Sequence, residues 1–195
     1  MVSRFFAGAV CAANLIAASS SIAAPTNRAA QPAYSSGGGF FSNFLALFTA
    51  VPRTLVNFPT NQKPGTVIVR TGERRLYLVL GNGQALRYGI GVGREGFTWS
   101  GVASVTAKRE WPDWTPPAEM LRRKPELPRH MAGGADNPLG ARALYLGDTM
   151  YRIHGSNEPH TIGTAATSGC IRLTNEDVID LYNRVPLGAT VIVQR

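Results

Sequence analysis

The chain has 195 residues, 44% hydrophobic and 16% charged, so it can build a core of ordinary size and is not a disordered polyelectrolyte. Its formal net charge of +8 points to an anionic partner: nucleic acid, acidic lipid or an acidic polymer such as a cell wall. No zinc-finger spacing, RNA-recognition signature or Lys/Arg run is present, which argues against nucleic acid.

Residues 1–24 read as a signal peptide. Arg4 supplies the basic start, Phe5 to Ala18 is small or apolar, and Ser21-Ile22-Ala23 offers a small-x-small cleavage site. A retained membrane anchor is the competing reading, but the run is short, alanine-rich and broken by Asn14. Export to the periplasm or cell envelope is therefore expected. Residues 25–64 read as a linker. It opens with Pro, Ala, Ser and Gly, continues through a short apolar helix over 40–51, and is interrupted by Pro52, Pro59 and Pro64. That helix is expected to dock on the main domain, with peripheral membrane contact as the alternative.

From Thr66 onward the texture is β. Strand-like runs occupy 66–70, 74–80, 85–93, 102–111, 143–147, 150–155 and 189–194, with hairpin signals at Gly81-Asn82-Gly83 and Asp148. The glycines of 89–93 are followed by no helix, so they mark a strand that another backbone or a ligand approaches closely, not a phosphate loop. Residues 111–140 carry two Trp and six Pro and predict a long irregular loop. A loop of that length is a lid or a substrate wall, or else a structural excursion with a short helix near 118–123. One strong helix is predicted over 174–185, with Thr174 as cap, Asp177 at the capping-box position, and Val178, Leu181, Tyr182 and Val185 on one face. Short strands with one main helix predict a mostly-β sandwich or barrel over 65–195.

If the signal peptide is removed, Cys11 leaves with it and Cys170 stays alone. An exported protein usually oxidises its cysteines in pairs, so a single thiol is an inert buried group, an intermolecular link or a nucleophile. His154 is the candidate base, since Ile153 beside it belongs to the opposite strand face. Gly169 allows close approach of a substrate, and the neighbouring N–H groups can hold an oxyanion. Arg172 can favour a thiolate or bind a carboxylate. His160 is the reserve base. A zinc site from Cys170, His154 and His160 lacks the usual short ligand pairs.

Together these residues resemble a known signature. His154-Gly155, a gap, and Thr167-Ser168-Gly169-Cys170-Ile171-Arg172 resemble the L,D-transpeptidases of the YkuD type, as do 91–101, 110–120 and 136–146. Ser168 departs from the histidine often found before Gly-Cys in that family. The resemblance implies a β-sandwich with a groove, Cys170 as nucleophile and His154 as proton acceptor and donor. It further implies oxyanion or substrate contacts from Ser168, Gly169, Arg172, Gly155 and Trp114, the last in the loop that covers the groove. Peptidoglycan peptide stems would be the substrate. A second stem, an envelope protein or water would be the acceptor, and neither metal nor organic cofactor would be needed. A hydrolase of the same fold and a non-catalytic wall-binding module are the alternatives.

Overall fold

The computed structural model describes residues 51–95 and 99–195. The signal peptide expected at 1–24 and all but the last residue of the helix expected at 40–51 lie outside the described residues.

Among these, nine strands form one large sheet in the order β1-β4-β3-β2-β11-β6-β7-β8-β10. They are β1 (Thr54–Asn57), β2 (Val67–Arg70), β3 (Arg75–Gly81), β4 (Gln84–Gly89), β6 (Gly101–Glu110), β7 (Arg142–Leu146), β8 (Arg152–His154), β10 (Ile171–Arg172) and β11 (Thr190–Gln194). A separate parallel pair joins β5 (Val92–Gly93) to β9 (Ala165–Thr167). Helix α1 spans Ala118–Arg123 and helix α2 Asn175–Arg184. The mostly-β fold predicted from strand spacing is what forms.

The ten-residue β6 belongs to two layers. Its first half pairs with β11, its second half with β7, and the register shifts between Val105 and Ala107. A bulge bends a strand at such a point, which lets one sheet turn into another. Val67, Val69, Leu76 and Leu78 from one side of this corner and Leu144, Leu146, Ile153 and Ile171 from the other enter the same core, together with Val178, Leu181 and Val185 around α2. The alternate residues of β2 and β3, Ile68, Tyr77 and Val79, form a second cluster with Phe58 and Ala85 on the opposite face. Phe58 stacks on Tyr77 at 4.5 Å.

The hairpin signal is realised as β3 and β4 pairing across Asn82-Gly83. Both loop residues have positive φ, 51° and 69°, as a two-residue loop of right-handed twist requires. The run 85–93 is broken after Gly89, and Gly91 bridges the backbone of Arg172 in both directions, at 2.8 and 2.9 Å. The close backbone expected at these glycines is thus β10. The prediction of a linker through residue 64 is corrected at 54–57. This segment is an edge strand paired with β4, and Arg53 beside it reaches Asp177 and Asp180 of α2, each at 3.4 Å. An edge strand with mostly exposed side chains has no alternating pattern to reveal it.

Helix α2 starts as predicted. Thr174 Oγ1 accepts from the Asp177 N–H at 3.2 Å. At its other end Lys108 donates to the Val185 carbonyl at 2.8 Å, a cation at the negative end of the helix.

Candidate active site

Strands β8 and β10 run parallel, with Ile153 opposite Ile171 and His154 opposite Arg172. Both isoleucines are fully buried in the core. Alternation therefore puts His154 and Arg172 on the other face, with Arg152 and Cys170 one step earlier on the same face. Continuing outward, Tyr145 of β7 stands opposite Arg152, and Ala143 opposite His154. The thiol, the imidazole and two guanidiniums thus occupy adjoining positions on one sheet face.

The turn that carries Cys170 is held by Thr167. Its hydroxyl donates to the Cys170 carbonyl at 2.8 Å and accepts from the Gly169 N–H at 3.1 Å. Gly169 has φ 113°, a conformation that a side chain would strain. This corrects part of the oxyanion expectation. The Gly169 N–H is engaged within the turn, whereas no described residue accepts a hydrogen bond from the Cys170 N–H. Ser168 is half-buried and its hydroxyl makes no hydrogen bond among the described residues. Cys170 Sγ, also half-buried, lies 3.9 Å from the Met150 carbonyl and faces the Arg152 main-chain N–H.

His154 is 5% exposed. Its Nδ1 lies 2.6 Å from the Gly155 carbonyl. A carbonyl only accepts, so Nδ1 carries the hydrogen, and Nε2 keeps its lone pair when the ring is neutral. Burial pushes the imidazole down to about 4; the Gly155 and Leu139 carbonyls oppose this, while Arg172 and Arg152 reinforce it. Burial pushes the Cys170 thiol up, against the Arg152 N–H and the charges of Arg152 and Arg172. At neutral pH these shifts leave the Cys170 thiol protonated and the His154 imidazole neutral, the protonation states from which general-base activation starts.

Gly155 is fixed by packing. A Cβ there would collide with Asn175 Oδ1, which already accepts from the Ala141 N–H at 2.9 Å. The first residue of α2 thus clamps the end of β8. Sequence reasoning assigned Asn175 no role, and a buried asparagine at a helix start carries no distinctive signal.

The same holds for Asn137, 1% exposed, inside the 111–140 excursion. Its amide nitrogen lies 3.0 Å from the Pro112 and Ala132 carbonyls, and its oxygen accepts from the Leu139 N–H at 2.9 Å. Trp114 and Met131 exchange two backbone hydrogen bonds, each 2.8 Å. The excursion is therefore internally tied and contains the short helix α1. Trp114 is half-buried within this ladder, and none of its hydrogen bonds reaches Cys170. Arg172 pairs with Glu158 at 3.4 Å. His160 is exposed in a single 3-10 turn, Pro159–Thr161. Among the described residues no three His, Cys, Asp or Glu side chains cluster as a metal site.

Comparison with known proteins bears on this geometry. The YkuD family profile, the L,D-transpeptidase catalytic domain, matches residues 64–193. The Probable L,D-transpeptidase ErfK/SrfK of Escherichia coli K12 is 35% identical over 150 residues, 72% of this chain and 47% of that protein. The chain thus spans about half the length of the curated relatives it matches. Among solved structures, a protein of Brucella melitensis is 45% identical with a TM-score of 0.52, covering 78% of this chain and 99% of that one. Its printed name, a probable carnitine operon oxidoreductase caia, gives a reaction class that the family profile and the curated relatives do not share. An L,D-transpeptidase from Mycobacterium smegmatis, 16% identical with a TM-score of 0.54 over 67% of this chain and 58% of that one, has the same fold.

Proposed function

We propose, given that the chain belongs to the L,D-transpeptidase (YkuD) catalytic domain family, that it is an exported enzyme that remodels peptidoglycan through a Cys170 thioester. The observation that carries this reading is the sheet face shared by His154 of β8 and Cys170 at the start of β10, with the imidazole neutral and its Nδ1 hydrogen held by the Gly155 carbonyl.

In the first half-reaction His154 Nε2 takes the thiol proton as sulfur attacks the carbonyl at the L-centre of the diaminopimelate residue of a tetrapeptide stem. The Cys170 N–H is the donor placed for the oxyanion. The C–N bond to D-Ala breaks, the amine leaves with the proton from the imidazolium, and a thioester remains. In the second half-reaction an amine attacks that thioester, His154 takes its proton, and sulfur departs to recover the thiol. A diaminopimelate side-chain amine gives a 3→3 cross-link, an envelope-protein amine gives a tethered protein, and water gives a tripeptide. Neither half-reaction changes an oxidation state. The net positive charge suits a polymer bearing carboxylates, and in this reading the excursion 111–140 supplies a substrate wall with Trp114 as a stem contact.

Intact mass spectrometry of the protein with purified tetrapeptide-stem muropeptides tests this. The expected product is a covalent adduct with loss of D-Ala, absent in Cys170→Ala. A folded protein that binds the wall but yields no adduct and no turnover would instead be a binding module. Adduct formation followed only by tripeptide release would make it a hydrolase.

A further inference from the structure

Arg172 and Arg152 both face the nucleophile, and they differ in one respect. Arg172 is engaged, because Glu158 pairs with it at 3.4 Å. Among the described residues no carboxylate pairs with Arg152 and no side-chain hydrogen bond leaves it. Its guanidinium lies over the Tyr145 ring at 5.0 Å, which holds the planar group by one face and leaves its N–H edge free. Its Nε is sealed from solvent without an acceptor, as is that of Arg172, so the difference between the two lies in the terminal nitrogens and the carboxylate partner. The terminal nitrogens are not sealed in this way. The register places this group level with Cys170, one strand away.

We propose that Arg152, backed by Tyr145, is a donor-side subsite that takes the free side-chain carboxylate of the diaminopimelate residue whose L-centre carbonyl is attacked. A carboxylate accepting from the two terminal nitrogens would make two parallel charge-assisted hydrogen bonds. The sequence pointed to Arg172 for this task. The structure gives Arg172 a protein carboxylate already and leaves Arg152 as the cation without one. The inference rests on the transpeptidase reading and names the substrate class within it: stems whose diaminopimelate side-chain carboxyl is free, in preference to stems where it is amidated.

The test compares acyl-enzyme formation by the whole chain on tetrapeptide stems with that carboxyl free or amidated, in wild type, Arg152→Gln and Arg152→Lys. A charge-assisted bidentate contact predicts that wild type prefers the free acid by about 10- to 100-fold in kcat/KM. In Arg152→Gln that ratio falls toward one, chiefly through KM, and Arg152→Lys keeps an intermediate ratio. Iodoacetamide alkylation of Cys170 across pH, run on each variant, reports whether the thiol and its turn are intact. Equal losses on both stems, with an altered alkylation profile, would make Arg152 a structural or thiol-tuning residue and overturn the subsite alone. An unchanged preference in Arg152→Gln would do the same, as would discrimination confined to the amine-transfer step. A wild-type protein that forms no adduct with either stem would overturn the transpeptidase reading, and the subsite with it.

Discussion

The two sides of the β6 corner use paired strands for different ends. On the β2–β3 side both faces are apolar: Val67, Val69, Leu76 and Leu78 fill the main core, and Ile68, Tyr77 and Val79 fill the second cluster behind them. On the β7–β8–β10 side only one face is apolar. Leu144, Ile153 and Ile171 enter the core, and the opposite face carries Tyr145, Arg152, His154, Arg172 and the approach to Cys170. A sheet covered on both faces specifies a fold and leaves no room for chemistry. A sheet with one polar face gives up burial and keeps a rigid floor, so a neutral histidine and a thiol can be set in register. The polar half relies on hydrogen bonds to hold its covering segments, through Thr167, Asn175 and Asn137.

If that division is right, substitutions on the two sides affect different measurements. Replacing His154 with Ala should lower the acylation rate about 10²- to 10⁴-fold, the usual worth of a positioned general base, while the melting temperature moves little. A rate within tenfold of wild type would remove His154 from the proposed chemistry. Leu78→Ala, in the doubly covered half, should cost about 2–5 kcal/mol in denaturant unfolding and leave kcat of the folded fraction near wild type. A kcat loss at full folding would show that the halves are mechanically coupled.

The third test is pH. His154 sits at about 4 in the fold against an ordinary 6.5, so the unfolded chain binds a proton that the native chain refuses. Stability from this group is complete above about pH 6.5 and falls as the pH drops toward 4, by up to about 3 kcal/mol. Across that window wild type should lose more stability than His154→Gln, so the gap between their unfolding midpoints changes with pH. A constant gap would mean that the buried imidazole is not the cause. The smallest effect is at the helix start. Thr174→Ala should cost about 1 kcal/mol by removing the cap that receives the Asp177 N–H, with only a slight change in rate.

Much of the fold was legible because its signals are local. The alternation of β2 and β3, the Asn82-Gly83 turn and the capped stripe of α2 each lie within about a dozen residues. Strands β1, β9 and β10 were missed for a shared reason. They have two to four residues each, too few to show a period, and their neighbours are distant in sequence. Cys170 and His154 were singled out by the flanking pattern and the resemblance that it carries, and the register of β8 and β10 puts them on one sheet face. The status of the arginines was not, because whether a guanidinium is engaged depends on which carboxylate the fold brings to it.

The sequence by itself determined the mostly-β class, the capped helix, the family and the identity of the two residues proposed for the chemistry, since all of these reside in residue type and short spacing. Only the tertiary structure decided that Thr167 occupies the Gly169 N–H, that Asn175 and Asn137 clamp the covering segments, and that of the two arginines on the site face Arg152 has no carboxylate partner among the described residues. Those outcomes depend on which groups meet across strands and on which of them are shielded from water, and neither is fixed until the chain has packed.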